Sequence, residues 1–292
     1  SLDALAEASR RVGVRLATCF EVSDRDGAET ARAAIRENLR FAENVRDDPL
    51  CAAMFGLHAS FTLSDDTLDR CAADGAAAGL AFHVHVAEAL SDADDARRRG
   101  HPGALARLHR HGVITPGSLA IHCVHTLPEE WNLLREARAS CVHNPQSNMN
   151  NAVGTAPVAD MIAAGVPVGI GTDGMQADVR QDLRVAFLLG HHRSRDPRTM
   201  WAEVPAMLAA NRGIASGLFG LELGTLAPGA AADVVIADYL PPTDLTADNF
   251  TGHLIFGLYQ APAHTVLVAG STRLAEGRLV DIDPAEVAAR AR

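Results

Sequence analysis

Short apolar runs recur along the first 220 residues, and stretches in which apolar positions have helical spacing separate them. The runs predict strands at 14–20, 51–57, 80–86, 119–124, 140–143 and 166–171. The intervening stretches predict helices at 2–12, 27–46, 64–78, 103–111, 129–137, 158–164, 178–192 and 201–219. Repeated alternation of strands and helices predicts an α/β fold with a parallel sheet and right-handed crossovers.

The pattern changes after residue 220. A turn-rich segment, Leu226–Asp233, leads into short strand patterns at 234–237, 264–269 and 273–280. We therefore expect a partial β/α barrel catalytic domain at 1–220, with a small C-terminal β segment at 221–292 packed beside it.

The six strand patterns are two fewer than a closed (β/α)8 barrel of the TIM type needs. Ser1 falls at the start of a helical pattern, where a domain boundary would be unusual. We therefore expect this chain to be a fragment whose two N-terminal strands lie upstream of residue 1.

Three segments carry the candidate chemistry, and each follows or ends a strand pattern: His83–Glu88, Ile121–His125 and Gly171–Gly174. Polar side chains at the carboxyl ends of successive parallel strands are the way in which a β/α barrel builds an active site. Because these segments supply histidines, a glutamate and an aspartate, they indicate metal-activated hydrolysis.

In the first segment, Glu88 lies three positions after His85, so a metal-ligating imidazole and a proton-shuttling carboxylate can act together. His83 shares the strand face of His85, and we interpret it as an inner-layer histidine rather than a ligand. A pair of core histidines with a surface acid is the alternative.

In the second segment, His122 ends a strand and can reach the site, whereas His125 is expected in a loop or at a helix entry. In the third, Asp173 follows a buried strand and can bind a metal or accept the proton of attacking water. An N-cap role for Asp173 is the alternative.

These motifs resemble those of the amidohydrolase superfamily, in its branch of cytosine, guanine and S-adenosylhomocysteine deaminases and triazine hydrolases. The segments that carry the resemblance are His85–Glu88, Ala120–His125, His143–Asn148 and Gly171–Gly174. Leu221–Val235 resembles the return of that family from its barrel to a β-sandwich domain, and Cys19–Gly27 resembles its SsnA group of aminohydrolases.

The resemblance implies a TIM-type (β/α)8 metal-dependent hydrolase barrel with a C-terminal β-sandwich part. It implies metal binding by His85 and Asp173, catalysis by Glu88 and Asp173, and either substrate polarisation or metal binding by His122. One divalent ion is expected, zinc in preference to iron. The family's first two ligands form a His-x-His pair, which is absent before His83 and is therefore expected upstream of residue 1.

Three further residues are candidates for substrate binding: His58, His143 and Asn148. His58 lies in a segment that resembles one whose histidine touches the substrate ring, although a simple loop histidine is the alternative. Asn148 can instead shape its loop, because asparagine favours tight turns. Glu21 and Arg25 follow the first strand pattern and either face the mouth of the barrel or are simply solvated.

The amino-acid composition disfavours or excludes several classes of function. The net charge of −10 disfavours nucleic acid and anionic membranes as partners. All 26 basic residues are arginine, which excludes Schiff-base chemistry and a carbamylated-lysine metal bridge within this chain. Five dispersed cysteines without a Cys-x-x-Cys pair indicate free thiols in a reducing compartment, and we expect a cytoplasmic location.

Together these features predict a hydrolase of carbon–nitrogen bonds other than peptide bonds. Its expected substrate is a small molecule, a cyclic amidine or related heterocycle that is deaminated by metal-activated water. A homo-oligomer is one way to cover the exposed edges of an incomplete barrel. The alternative function is a non-catalytic binding or regulatory protein on the same fold.

Overall fold

A computed structural model describes residues 1–291, which include the predicted segment 221–292 apart from Arg292. Its strands are β1 (Leu16–Thr18), β2 (Cys51–Ala53), β3 (Phe55–Ala59), β4 (Phe82–Val86), β5 (Leu119–His122), β6 (Ser140–His143), β7 (Val168–Ile170), β8 (Val234–Ala237), β9 (Ala263–Val268), β10 (Ser271–Ala275) and β11 (Arg278–Leu279). Its α-helices are α1 (Leu2–Val12), α2 (Ala28–Asn44), α3 (Asp65–Ala78), α4 (Leu90–Arg98), α5 (Ala104–Arg110), α6 (Trp131–Ala137), α7 (Pro145–Asn150), α8 (Val158–Ala163), α9 (Val179–Ser194), α10 (Glu203–Phe219), α11 (Phe250–Phe256) and α12 (Pro284–Arg290).

The central sheet is parallel, as predicted, with its five strands in the chain order β3-β4-β5-β6-β7. β1 and β2 form a separate parallel pair, and a bridge between Val22 and Leu57 continues the pairing toward β3. The predicted strand 51–57 is split at Met54, because Met54 N donates to Thr18 O while Phe55 N donates to Ala81 O. This strand order is consistent with a (β/α) barrel.

The two faces of the sheet have different roles. Phe82, Val84 and Val86 lie in the large apolar core on one face, beneath the helices. His83 and His85 alternate with them and therefore project from the other face. Strand β4 thus directs both histidines to the face of the sheet opposite the large apolar core.

Asn211 of α10 protects the free edge of β7. Its Nδ2 donates to Ile170 O and its Oδ1 accepts from Ile170 N, both at 2.9 Å. These two bonds occupy the positions that a neighbouring strand would use. A side chain thereby closes part of the sheet edge within the described residues.

The C-terminal region forms an antiparallel sheet in the order β11-β10-β9-β8. The predicted strand 273–280 is two strands, because Glu276 and Gly277 both have positive φ values (49° and 72°) and form a tight hairpin turn. Arg15 Nε donates to Asp233 Oδ2 at 2.7 Å and connects this region to the segment before β1. The predicted boundary at residue 220 coincides with the end of α10 and stays a prediction.

Three further features complete the fold. The helical patterns did not predict α4, α7, α11 and α12, three of which have seven or fewer residues and so offer little periodicity. Within residues 1–291, no helix combines the length and the apolar composition that crossing a bilayer requires. All five cysteine thiols are free, as predicted.

Candidate active site at the carboxyl ends of the strands

His85 lies near the end of β4, and its ring is held in one orientation. Its Nδ1 donates to the carbonyl oxygen of His58 at 2.6 Å, since a carbonyl oxygen only accepts. The neutral ring therefore carries its lone pair on Nε2. The ring of His122 stacks beside it, with a centroid distance of 5.6 Å and an interplanar angle of 29°.

His122 reaches the site through an unusual backbone conformation. Register pairs His122 with Val86, whose side chain lies in the core on the opposite face of the sheet. Strict alternation would place His122 on that face too, but its φ of 73° and the φ of 52° at Cys123 redirect the chain. Its Nδ1 donates to Asn148 Oδ1 at 2.8 Å.

Two carboxylates converge on the other nitrogen of the His122 ring. Glu88 Oε2 lies 3.7 Å from His122 Nε2, and Asp173 Oδ2 lies 3.9 Å from it. The ring is 1% exposed, whereas the two acidic side chains are partly open to solvent. The structure thus brings together three of the residues that the sequence analysis selected for catalysis.

Both carboxylates are held by neighbouring side chains. Asn151 Nδ2 donates to Glu88 Oε1 at 2.9 Å, and Ser147 Oγ donates to Asp173 Oδ2 at 2.6 Å. Gly174 N donates to the other oxygen of Asp173 at 2.7 Å. Burial by itself raises the pKa of the Asp173 carboxyl, but these hydrogen bonds outweigh it and hold the pKa below its ordinary value.

Two imidazoles, those of His122 and His83, favour the neutral form. Burial lowers the pKa of His122 below its ordinary value, against the opposing effect of the Glu88 charge. Burial also lowers the pKa of His83 to about 4, with the charge of His85 acting in the same direction. Neutral imidazole is the form that binds a metal ion.

This set of donors fits one divalent metal ion. In His85 and His122 an Nδ1–H group donates to an oxygen, which is the usual second interaction of a metal-ligating histidine. The unprotonated Nε2 of His122 faces one carboxylate oxygen of Glu88 and one of Asp173. A metal cation among these three lone-pair donors would balance the charge of the two carboxylates. The chemistry of His85, His122 and Asp173 suits metal ligands, and these roles and the expected ligands upstream of residue 1 stay predictions. Among the described residues, the group whose ligand atoms all lie within 4.8 Å of one another is instead Glu21, His58 and His85.

His58 and Glu21 extend this cluster. One carboxylate oxygen of Glu21, one ring nitrogen of His58 and one of His85 all lie within 4.8 Å of one another. His58 Nδ1 contacts Thr62 Oγ1 at 2.8 Å, and Thr62 Oγ1 donates to Ala59 O. The structure thus places both the predicted substrate residue His58 and the mouth residue Glu21 beside His85.

His143 is the candidate least connected to this cluster. Its ring is 2% exposed and lines a cavity with residues of α8 and α9, for example Val158 and Arg193. Its Nδ1 has no hydrogen-bond partner among residues 1–291. Burial lowers the pKa of His143 to about 3, and the charge of His122 adds to the shift. Its role in substrate binding stays a prediction.

Asn148 and His125 occupy defined positions. Asn148 is 1% exposed and contacts His122, while its buried Nδ2 has no partner in the described chain. It therefore orients a histidine of the site, and direct contact with substrate stays a prediction. His125 Nε2 hydrogen-bonds to Val153 O at 2.8 Å, in keeping with a loop role.

The sequence analysis missed Asp92, in the first turn of α4. Its side chain is buried, and its Oδ1 accepts from Phe61 N at 3.0 Å while its Oδ2 accepts from Ala87 N at 2.7 Å. Burial raises the pKa of Asp92 to about 6, although both hydrogen bonds oppose the shift. Asp92 therefore ties the loop after β3 to the loop that carries Glu88. Its only sequence signal is an acid in a first helical turn.

Comparison with known proteins gives consistent results. A model of the amidohydrolase family matches residues 1–272. A 5-methylthioadenosine/S-adenosylhomocysteine deaminase of Pelotomaculum thermopropionicum is 30% identical over 299 residues, covering 100% of this chain and 68% of the relative. A 5'-deoxyadenosine deaminase of Methanothermobacter thermautotrophicus is 30% identical over 287 residues, covering 95% of this chain and 66% of the relative.

Solved structures agree in fold. An adenosine deaminase from Xanthomonas campestris with bound zinc matches with a TM-score of 0.86 and 27% identity, covering 99% of this chain and 67% of that chain. A triazine hydrolase variant matches with a TM-score of 0.81 and 22% identity, over 99% of this chain and 67% of that chain. The chain spans about two thirds of the length of these proteins.

Proposed function

Because this chain belongs to the amidohydrolase family, we propose that it is a metal-dependent aminohydrolase that deaminates an adenosine-type nucleoside. The observation that carries this proposal is the convergence of Glu88 and Asp173 on His122 Nε2, at 3.7 and 3.9 Å. The substrate class follows the relatives, which are named as deaminases of 5-methylthioadenosine, S-adenosylhomocysteine and 5'-deoxyadenosine.

The metal would be held by His85, His122 and Asp173, with Nε2 as the ligand atom of both imidazoles. A bound divalent ion lowers the pKa of a water molecule toward neutrality. Zinc is favoured because imidazole and carboxylate suit it and because a relative of similar fold binds it; iron is the alternative. Metal analysis of the purified protein decides between them.

The protein's own groups then move the protons. Asp173, whose pKa lies below its ordinary value, is ionised at neutral pH and accepts the proton of the attacking water. Glu88 accepts the other proton of this water and delivers it to the ring nitrogen. The proton held by Asp173 then passes to the departing amino group, which leaves as ammonia, so both water protons are used. Ser147 and Asn151 each donate to one of these carboxylates and hold it in place. His122 Nε2 faces both acids and would hold the metal ion beside them.

Release of ammonia tests the proposal. The zinc-loaded protein is incubated with 5'-deoxyadenosine, 5-methylthioadenosine, cytosine and a triazine, and ammonia is measured. Turnover of the two nucleosides, lost in the Glu88→Gln variant, is the expected result. Turnover of cytosine or the triazine alone would show that the substrate class is wrong.

Two alternative functions are less consistent with the observations. The likeness to triazine hydrolases is at 22% identity and concerns the fold alone. A non-catalytic protein is not favoured, because the relatives are named as enzymes.

We further infer that the parallel sheet belongs to an eight-stranded barrel. The SsnA likeness, the homo-oligomer, the cytoplasmic location and the exclusion of nucleic acid and membranes stay predictions.

A further inference from the structure

We propose that Asp182 is a positioning residue, which sets the distance between Asp173 and His122 through hydrogen bonds to two glutamines. Asp182 lies in the first turn of α9, and its carboxylate binds Gln146 of α7 and Gln176 of the loop after β7. It thereby joins the two segments that meet at Asp173. The kinetic part of this inference rests on the proposed deaminase function, whereas its structural part is tested separately.

Asp182 is a buried acid whose charge is satisfied by N–H donors. Its exposure is 0%. Gln146 N donates to its Oδ1 at 3.3 Å, Gln146 Nε2 donates to its Oδ2 at 3.0 Å, and Gln176 Nε2 donates to the same Oδ2 at 2.8 Å. Hydrogen bonds to a buried carboxylate are strong, and leaving its oxygens without donors is costly. The three bonds therefore hold both glutamines in place.

The bonds from Gln146 fix the start of α7. The carboxylate accepts a backbone N–H of the first helical turn, which has no acceptor within the helix. Ser147, the next residue, donates to Asp173 Oδ2 at 2.6 Å. Asn148, which follows it, accepts from His122 Nδ1 at 2.8 Å. A displacement of α7 would therefore change the positions of the acid and of the histidine together.

The bond from Gln176 fixes the loop that carries Asp173. Of residues 174–177, only Gln176 has a polar side chain, and the others are exposed. Its bond to Asp182 is thus the one side-chain hydrogen bond that ties the middle of this loop to α9 in the described chain. Without that bond, the loop is free to move between Asp173 and Asp178, the N-cap residue of α9.

Asp173 needs this support because its backbone conformation is an infrequent one. Its φ is 51°, a region that residues other than glycine seldom adopt. In this conformation its Oδ2 lies 3.9 Å from His122 Nε2. Because Asp182 holds the loop on one side and α7 on the other, it opposes a movement of Asp173 away from the histidine.

Reversing one hydrogen bond tests the inference. Gln176→Glu places a second carboxylate against Asp182, so the two charges repel and the bond is lost. Adding Asp182→Asn restores a bond of opposite direction, because the new amide donates to the new carboxylate. The side-chain amide of Gln146 can turn to accept the second N–H of that amide. Gln181→Glu is the matched control, since it adds the same charge at the exposed position next to Asp182.

Amide hydrogen exchange of residues 171–178 is a readout that does not depend on activity. In the purified protein, Gln176→Glu should speed this exchange about tenfold, and Gln176→Leu, which adds no charge, should do the same. The Gln176→Glu/Asp182→Asn variant should return to within about threefold of the wild type. Rates in Gln176→Glu equal to those in Gln181→Glu, or no recovery in the double variant, overturn the inference.

Steady-state kinetics test whether the same bond acts on catalysis. With 5'-deoxyadenosine and the zinc-loaded protein, Gln176→Glu should lower kcat about tenfold and keep KM within about twofold, because a displaced general base slows the chemical step more than it weakens binding. The double variant should recover most of the lost kcat. If Gln176→Glu speeds exchange but keeps the kcat of Gln181→Glu, Asp182 has a purely structural role and the inference is overturned.

Failure of the proposed function gives a different result. If the wild type releases no ammonia from 5'-deoxyadenosine or 5-methylthioadenosine, the deaminase proposal fails. The exchange rates then decide the inference on their own. Faster exchange in Gln176→Glu with recovery in the Gln176→Glu/Asp182→Asn variant supports the positioning of Asp173 by Asp182, whereas unchanged exchange overturns it.

Discussion

Ser147 donates a hydrogen bond to Asp173 Oδ2 at 2.6 Å, from the helix that follows β6 to the loop that follows β7. The same oxygen of Asp173 lies 3.9 Å from His122 Nε2. Ser147 therefore sets the distance between two residues of the site. Because its hydroxyl hydrogen is directed to this carboxylate, Ser147 acts as a positioning residue for Asp173.

Replacing Ser147 with alanine should lower kcat about tenfold and leave the fold intact. The lost bond is charge-assisted, and bonds of this type contribute about 1.5–3 kcal/mol. Steady-state kinetics and metal content are measured for Ser147→Ala and for Ser147→Thr, which keeps the hydroxyl. Wild-type kcat in Ser147→Ala would show that the bond does not position Asp173.

Replacing Glu88 with glutamine should abolish most turnover but keep the metal. Glutamine preserves the size of the side chain and cannot exchange a proton at neutral pH, so we expect at least about a hundredfold loss of kcat. Metal content by elemental analysis and ammonia release are compared with the exposed control Glu129→Gln. Activity near that of the control would remove Glu88 from the mechanism.

Replacing Asp92 with asparagine should destabilise the protein and slow it. Each carboxylate oxygen accepts one backbone N–H, from Phe61 and from Ala87, so an amide NH2 must face one of these donors. We expect a loss of about 1–3 kcal/mol in the free energy of unfolding. We also expect a lower kcat, because Glu88 directly follows Ala87.

Urea unfolding and kinetics check this prediction. Asp94→Asn is the control on the same helix, since within residues 1–291 Asp94 pairs only with Arg97, at the surface. An Asp92→Asn variant as stable and as active as the control would contradict the role assigned to Asp92.

The buried His143 should make the protein sensitive to acid. Its pKa is about 3 in the folded protein against 6.5 for an ordinary histidine, so the unfolded chain takes up the proton first. Between pH 6.5 and pH 3 this group alone reduces stability by about 1.4 kcal/mol for each unit of falling pH.

The free energy of unfolding is measured from pH 7 to pH 4 for the wild type and for His143→Gln. The variant should lose stability less steeply as the pH falls, by about 1.4 kcal/mol per unit below pH 6.5. His264→Gln, which removes an exposed histidine, is the control. Equal slopes for His143→Gln and the wild type would contradict the prediction.

Local signals account for much of the agreement between sequence and structure. The predicted helix 64–78 begins at Ser64, whose side chain accepts from Thr67 N at the start of α3. β6 and β8 have the predicted bounds, 140–143 and 234–237. Such features depend on residues a few positions apart, so a single sequence contains them.

The sequence also identified Glu88, His122 and Asp173 as candidates, because polar side chains at the carboxyl ends of parallel strands lie at the same edge of the sheet. It could not determine how they meet. Ala87, His122 and Asp173 all adopt positive φ values, of 46°, 73° and 51°. Residues other than glycine adopt that conformation infrequently, and the surrounding packing and hydrogen bonds impose it here.

The sequence by itself therefore determined the alternation of elements, the parallel sheet and the identity of the acid and histidine residues. Only the tertiary structure decided that His122 turns away from the face of Val86 and that Asp92 joins two loops. It also decided that Glu21 lies beside His58 and His85. The physical reason is that these arrangements depend on contacts between distant residues, for example Phe61 with Asp92 and His58 with His85, 31 and 27 positions apart, which periodicity and propensity do not encode.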